Sequence, residues 1–534
     1  MTHFLKARRP AGEIAPARRL TQAEEVAAYL HDEAHFPGGH TPAVLLPRSE
    51  GEVVHSLLEA PALLAVGARS SLTGGATPFG EWVLSLEKLD RLRVEARRVT
   101  AGAGVPVSVL VSALEARGLV YPPVPTFTGA MVGGVVSTNA AGAATFKYGS
   151  TRDWVERLTV VLAWGDVLDV ERGQVRACAE GTFEVGRTDG VSVRLPVPHY
   201  RMPAVAKRSA GYHSEPGMDL IDLFLGSEGT LGVITEAVFR VIPRDFAVLV
   251  ALVPLPDDAA ALELTSRLRE ASLLTRSRRD PRGLDVAAIE YLDRRCLELL
   301  REDGEDRKNG VNFSIDDGAA LLLQAELPQG TDAAAAYDQI GAFEDSDAPD
   351  TPLVRLCRLL AAHGAVDRME VAVPGDSARA AQLFALREAV PVGVNHRVGL
   401  AQREVHPRIQ KVAADMVVPF ERFAEMMRVY RTGFERRRLD HAIWGHISDG
   451  NVHPNVLPRS LDDVEAGKGA ILDFGREIAR LGGCPLSEHG TGRNPVKQQL
   501  LRQLYGDAGL AEMRAVKRAL DPDWKLAPGV MFER

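Results

Sequence analysis

The stretch PPVPTFTGAMVGGVVSTNAAGAATFKYGS, residues Pro122–Ser150, decides how the first half of the chain is read. Few of its side chains reach far, and Gly129, Gly133, Gly134, Gly142 and Gly149 are spread among Ala, Ser and Thr. Glycine lets the backbone come close to a ligand, at an entropic cost that packing or binding must offset. A run this poor in bulk cannot stabilise itself by apolar burial. A large planar cofactor with a pyrophosphate would fill the space, because clustered backbone N–H groups form anion-binding concavities. By itself the stretch fits a Gly/Ala-rich turn region without a ligand equally well.

Two further stretches alter that balance. AVGARSSLTGGATP (Ala65–Pro78) follows the apolar run Leu63–Val66, and LGSEGTLGVIT covers Leu225–Thr235. A strand followed by a glycine and hydroxyl loop is a phosphate-cradling order, although it lacks the Walker lysine and the spacing of a dinucleotide fingerprint. In this order, the three blocks resemble the FAD domain of the vanillyl-alcohol-oxidase/p-cresol-methylhydroxylase (PCMH) class of flavoproteins, from about Thr41 to Pro243. The resemblance implies that Gly67, Ala68, Arg69, Ser70, Ser71, Leu72 and Thr73 hold the pyrophosphate. It implies that Pro122, Thr126, Gly129, Gly133, Gly134, Ser137, Asn139, Gly142, Tyr148 and Gly149 line the flavin, with Glu228, Gly229, Gly232, Val233 and Ile234. The Gly67–Thr73 loop contains no histidine for a covalent link, so the FAD is expected to be non-covalent.

At 534 residues the chain can form two or three domains, each with a sizeable core. Its 46% hydrophobic and 25% charged content is that of a soluble globular protein. The net charge of −8 argues against a nucleic-acid or anionic-membrane partner. No apolar run approaches the roughly 20 residues needed to span a bilayer. Residues 1–20 are basic without an apolar core behind them, which reads as a flexible leader and not a secretory signal. Cys178, Cys296, Cys357 and Cys484 are scattered and form no CxxC, as expected of reduced, mostly buried thiols in a cytoplasmic protein. A peripheral membrane association is compatible with this reading. The spacing excludes a ferredoxin-type cluster, so any iron–sulfur centre would belong to another chain.

Capping boxes at Thr21–Glu24 and Ser49–Glu52 each predict a helix start. Val83–Leu86 and Leu92–Ala96 read as short strands, and a helix is expected from Pro106 to Gly118. The β-rich runs Leu158–Ala163 and Val167–Val170 flank Trp164-Gly165-Asp166, a hairpin turn. Strands and helices do not alternate regularly, so the fold class is α+β and not doubly wound. The FAD-binding domain is assigned to residues 21–244. Ala-, Leu- and Arg-rich segments alternate thereafter with apolar runs such as Val248–Val253 and Ala320–Leu323, giving a second α+β domain over 245–534. Phe343–Thr351 is acidic and Pro-containing, a surface loop. There is no internal repeat or sustained heptad.

Two segments of the second half concentrate chemistry. WGHISDGNVHPN (Trp444–Asn455) presents His446 and His453 around a Gly-containing turn, and LSEHGTGRN (Leu486–Asn494) presents Glu488 and His489. Nitrogen and oxygen ligands from two loops suit a divalent metal with open positions, catalytic more than structural. Spacing alone leaves a hydrolytic metal site possible.

Both segments resemble the metal-binding blocks of FAD-linked D-2-hydroxyacid dehydrogenases, the group that includes D-lactate, glycolate and D-2-hydroxyglutarate dehydrogenases. The resemblance covers nearly the whole chain after the leader and is weakest between about Arg301 and Pro374. It implies that His446, His453 and Glu488 hold the metal, commonly zinc, and that His489 is the base. It further implies that Arg387, Lys411 and Asn455 contact the substrate, the arginine by a bidentate grip on its carboxylate. The function implied is oxidation of a D-2-hydroxy acid to the 2-oxo acid, with electrons leaving to a quinone, a cytochrome, an electron-transfer flavoprotein, oxygen or an iron–sulfur partner. Alternatives are an FAD-binding subunit of a multisubunit oxidase and a non-redox flavin enzyme of the alkylglycerone-phosphate-synthase kind; a metal-dependent hydrolase would leave the FAD half unexplained. Four positions depart from the family pattern. Ser448 stands for a usual glycine, Thr491 for an apolar residue, Pro391 for a substrate-binding hydroxyl of some members, and Ala527 for an asparagine near the flavin.

Overall fold

The apolar run ahead of the first glycine loop forms the strand Leu63–Val66, with Leu63, Leu64 and Val66 buried. In the computed structural model, which describes residues 2–534, this strand belongs to the first of two units. That unit comprises Met1–Gly142, Gly149–Pro243 and Cys484–Arg534. Its four-stranded sheet runs Arg18–Leu20, Val44–Leu46, Trp82–Ser85, Leu63–Val66, with only the first strand antiparallel to its neighbour. Ser49 caps the helix Glu50–Glu59 by accepting the Glu52 N–H at 3.2 Å. Val53, Val54 and Leu57 of that helix pack with Leu63, Leu84, Val161, Val167 and Leu526 in one core cluster. Burying each such side chain contributes about 1.5–3 kcal/mol.

The expected hairpin forms, with Val155–Val161 antiparallel to Val167–Glu171 and Gly165 at φ 92. These strands belong to a five-stranded antiparallel sheet that continues through Val233–Arg240, Arg98–Gly102 and Leu92–Val94. The helix Val107–Glu115 starts after Pro106 as expected. Two expectations need correction. The helix Ala23–Ala27 has Gln22 at its N-cap with no side-chain cap, because Thr21 lies one residue too early. The basic leader is not a flexible tail: Phe4–Lys6 pairs in parallel with Thr182–Gly186, and Arg18–Leu20 pairs with Val44–Leu46. Its charge is locally matched, since Arg8 forks onto Glu50 (2.7 and 2.9 Å) and reaches Asp169.

The C-terminal segment is woven into this first unit. Leu63 N–H donates to Lys525 O (2.8 Å) and Ala527 N–H to Leu63 O (2.7 Å), so the tail extends the edge of the strand Leu63–Val66. Ahead of it, the helical stretch Pro495–Leu520 carries Lys517, whose ammonium is fully buried. Lys517 donates to Thr230 O and Leu526 O, both at 2.9 Å, and to Asp521 at 2.7 Å. One cation thereby ties the Leu225–Thr235 block to the tail. Ala527 sits at φ 42, a left-handed conformation that an asparagine adopts more readily than an alanine.

The second unit comprises Ala143–Tyr148 and Arg244–Gly483. Its antiparallel sheet is ordered Glu370–Ala372, Phe246–Leu255, Ala319–Pro328, Asp285–Asp293, His441–His446, Asn451–Val456, Val412–Ala413, and Met416–Val417 also pairs with Asn451–Val456. Asn451–Val456 is buried at every position. The short flavin-block excursion Ala143–Tyr148 is anchored here: Lys147 pairs with Asp285 (2.6 Å) and Glu326, and the Tyr148 hydroxyl donates to Glu326 at 2.6 Å.

Candidate active site

Within the first unit the third glycine block is bonded to the second. Gly226 N–H donates to Val136 O (3.2 Å) and Glu228 N–H to Ser137 O (2.8 Å), joining the third block to the second. Arg152 reinforces the join by donating to Asp222 O (2.7 Å), Asp222 Oδ1 (2.9 Å) and Leu225 O (2.6 Å). Each block holds one non-glycine residue in the left-handed region, Arg69 (φ 58), Asn139 (φ 48) and Glu228 (φ 52). Such strain gathers where a binding surface is over-determined by its surroundings. A methyl group added at Gly142 would come within 2.2 Å of Val124 O, and one at Gly232 within 2.4 Å of Val160, so these glycines serve backbone packing. At Gly134 and Gly229 it would meet nothing within 4 Å. Some of these glycines are therefore demanded by close packing, while Gly134 and Gly229 face open space. In the Gly67–Thr73 loop, Ser71 Oγ accepts the N–H groups of Thr73 and Gly75, both at 3.2 Å, which curls the backbone. Pro122 is buried, Leu72 and Thr126 are exposed, and Val233 and Ile234 are buried in their strand. Tyr148, expected to line the flavin, directs its hydroxyl to Glu326.

The second unit supplies one group of polar residues. His446 ends the strand His441–His446 and His453 lies in the paired strand, their rings 5.7 Å apart at 89°. Gly450 makes the connection at φ 82, where a Cβ would strike Val418 O at 2.2 Å. Glu290 lies directly across the sheet from His446 and meets its Nδ1 at 2.6 Å. The other Glu290 oxygen accepts Arg387 Nε–H at 3.1 Å. Burial would push the Glu290 carboxyl up, but the charges of His446 and Arg387 outweigh it and hold the group well below the usual carboxylate range. Asp415 is 3.3 Å from His453 Nδ1 and accepts Asn451 Nδ2–H at 3.2 Å. A carboxylate therefore stands near Nδ1 of each ring, the kind of neighbour that orients metal-binding histidines.

The expected substrate residues Arg387, Lys411 and Asn455 belong to the same unit. Arg387 uses Nε on Glu290, and no hydrogen bond from its terminal nitrogens is found among the described residues. Pro391, four residues on, lacks the N–H that would bond the Arg387 carbonyl, so the helix Ser377–Glu404 is loosened at this turn. Asn455 is buried, donates to His453 O at 2.8 Å, and keeps Oδ1 without a partner. Lys411 is exposed, yet crowding by protein lowers its ammonium to about 8. Ser448 is explained by its surroundings: its hydroxyl accepts the Ile289 N–H (3.2 Å) beside a register shift in the strand Asp285–Asp293.

The first unit holds the other two residues. Glu488 is 2.5 Å from Lys207, a lysine with no exposed surface, and His489 is partly exposed. Thr491 and Gly492 give their N–H groups to Glu228, both at 2.8 Å, and Arg493 N–H reaches Thr73 O at 3.0 Å. The Leu486–Asn494 loop is thus bonded to both the first and third glycine blocks. His446 and His453 therefore belong to one unit and Glu488 and His489 to the other.

Glu290, Asp415 and the Lys207–Glu488 pairing were not anticipated. Glu290 did carry a signal, as the one acid within the run Val286–Leu292. The contacts of Asp415 with His453 and of Lys207 with Glu488 join segments distant in sequence.

A glycine-block unit with this sheet set, joined to an antiparallel α+β unit, defines a flavoprotein with a PCMH-type FAD-binding domain and an FAD-oxidase C-terminal domain. Family models agree: "FAD linked oxidases, C-terminal domain" matches residues 247–531 and "FAD binding domain" matches 41–171. The first covers more than half of the chain, which belongs to the FAD-linked oxidases and is an FAD-linked oxidoreductase. Similar proteins include glycolate oxidase subunit GlcD of Bacillus subtilis, 27% identical over 92% of this chain and 89% of that one. D-2-hydroxyglutarate dehydrogenase of Xanthomonas citri pv. viticola is 27% identical over 98% and 96%, and D-lactate dehydrogenase of Anaerostipes hadrus 26% over 97% and 95%. The solved structure of an alkyldihydroxyacetonephosphate synthase shares the fold, with a TM-score of 0.61 at 13% identity over 98% of this chain and 89% of that one.

Proposed function

We propose that this protein oxidises a D-2-hydroxy acid to the corresponding 2-oxo acid. The observation that carries the reading is the Glu290 carboxylate, which meets His446 Nδ1 on one oxygen and accepts from Arg387 Nε on the other. A group that binds metal and a group that grips a carboxylate are what a 2-hydroxy acid, with its adjacent hydroxyl and carboxylate, requires. The relatives named for glycolate, D-2-hydroxyglutarate and D-lactate are consistent with that substrate class.

FAD, held without a covalent bond by the Gly67–Thr73 loop, the Pro122–Ser150 stretch and the Leu225–Thr235 block, would supply the acceptor for the α-hydrogen and its electron pair. His446, His453 and Glu488 would hold a divalent metal, zinc by its nitrogen and oxygen donors, which lowers the pKa of a bound hydroxyl. His489 takes the hydroxyl proton as general base. Arg387 and Lys411 hold the carboxylate and so choose which face of the substrate is presented. Asn455, with its unpaired Oδ1, orients a donor of the substrate. The electrons pass on to an external acceptor. No helix among the described residues is long and apolar enough to cross a membrane. The four scattered free cysteines support a cytoplasmic location.

The test is an anaerobic titration with D- and L-2-hydroxy acids, following the visible flavin absorption. Bleaching by a D-acid that is lost on chelation and restored by zinc is the expected result. A flavin spectrum that no 2-hydroxy acid alters would refute the reading.

A further inference from the structure

The loop that carries Glu488 and His489 is built around a carboxylate from another part of the chain. Glu228 accepts Thr491 N–H on Oε1 and Gly492 N–H on Oε2, each at 2.8 Å. A Cβ at Gly490 would come within 2.9 Å of the Glu228 carboxyl, and one at Gly492 within 2.2 Å of Thr73 Oγ1. Both glycines have positive φ, 70 and 56. The glycines on either side of Thr491 are therefore required by close wrapping, the loop forming a nest of N–H groups around an anion.

Glu228 itself lies at φ 52, a conformation that costs a side-chain-bearing residue about 1–2 kcal/mol. Its own N–H is fixed on Ser137 O at 2.8 Å. Glycine would serve this backbone better, so what the position gains from glutamate is the carboxylate. Burial pushes that carboxyl up to about 7 against the pull of the two N–H groups and Lys497. The downstream side of the nest has other anchors, since Gly492 O also accepts from Gln498 Nε2 (3.0 Å) and Met531 N–H (2.8 Å). Loss of the Glu228 carboxylate would release Thr491, next to the His489–Gly490 peptide, while leaving the C-terminal segment docked.

We propose that Glu228 is a positioning residue: it registers the Glu488–His489 peptide against the Leu225–Thr235 block, and so sets the base relative to the flavin. This rests on the reading of His489 and the flavin blocks given above. It separates two roles that fall on one short motif, the glycines of the block shaping the cradle and the glutamate reaching away to fix a second loop.

The experiment compares wild type with Glu228→Gln, which replaces one of the two accepting oxygens by an NH2 that opposes a backbone N–H, and Glu228→Gly, which also relieves the left-handed strain and so keeps the fold accessible. Amide hydrogen exchange over Leu486–Asn494 is measured with flavin content and steady-state kinetics. Expected are faster exchange at Thr491 and Gly492, wild-type flavin content, a kcat lower by about 10–100-fold, in line with loss of a charge-assisted hydrogen bond, and a KM changed less than threefold. Unchanged exchange in both variants overturns the proposal, as does loss of flavin in both, which would make Glu228 part of the cofactor site. The exchange measurement reads the loop whichever substrate the enzyme accepts. Absence of D-2-hydroxy acid turnover in wild type would therefore count against the proposed reaction, and exchange would still decide the role of Glu228.

Discussion

Glu290→Gln is the perturbation that most directly probes the second unit. The native carboxylate accepts from two donors, His446 Nδ1 at 2.6 Å and Arg387 Nε at 3.1 Å, out of contact with water. A glutamine keeps the shape but offers one acceptor and one NH2. If its oxygen faces Arg387, the NH2 meets His446 Nδ1 and forces the proton onto Nε2, removing that nitrogen as a metal donor. If its oxygen faces His446, the NH2 opposes the Arg387 N–H and displaces the guanidinium. The first orientation should weaken metal binding about 10–100-fold, the usual effect of losing a partner behind a ligating histidine. The second should raise KM for the hydroxy acid by about tenfold or more, since a charge-assisted hydrogen bond contributes roughly 1.5–3 kcal/mol. In either orientation the metal-free protein should lose about 3 kcal/mol, as when one member of a buried ionic set is removed. The assays are metal content by plasma mass spectrometry after graded chelator dialysis, KM from flavin reduction, and urea unfolding of the metal-free protein. Metal retention and KM both within twofold of wild type would show that Glu290 organises neither residue.

Other perturbations address the remaining parts. His489→Ala should abolish flavin bleaching by a D-2-hydroxy acid while flavin content stays at the wild-type level, measured by absorbance; undiminished reduction would remove the base assignment. Lys517→Met should cost the first unit about 3–5 kcal/mol in urea unfolding, because it leaves Asp521 as an unpaired buried charge. Arg279→Gly should stabilise by about 1 kcal/mol, since this exposed residue ends the helix Asp258–Arg278 at φ 53, where glycine is preferred. Burial, then the charge of Arg152, lowers His213 to about 3 from an ordinary 6.5. The unfolded chain then binds the extra proton between those values, so stability should fall as pH drops from 6.5 toward 3, by up to about 1.4 kcal/mol per unit. His213→Gln should flatten the pH dependence of the urea midpoint over that window, and an unchanged slope would contradict the assignment.

The family and the domain types were legible locally, because they depend on short runs whose composition has no other easy use. The glycine blocks, rich in small residues, announced the FAD-binding domain that the family model matches. The hairpin at Trp164–Asp166 and the strand Leu63–Val66 followed from turn residues and apolar runs in the same way. Long-range pairings were not legible. Nothing near Glu228 in sequence announces a partner at Thr491, and nothing near Glu290 announces His446 across the sheet or Arg387 on a helix. The return of Cys484–Arg534 to the first unit and the excursion of Ala143–Tyr148 into the second are of the same kind. So are the pairings of the basic N-terminal residues with Glu50 and Asp169. Each depends on which charge meets which across a few ångströms of folded chain, a quantity that residue order does not encode locally. The sequence by itself determined which chemical groups this protein has to work with; the tertiary structure decided which of them hold one another in place.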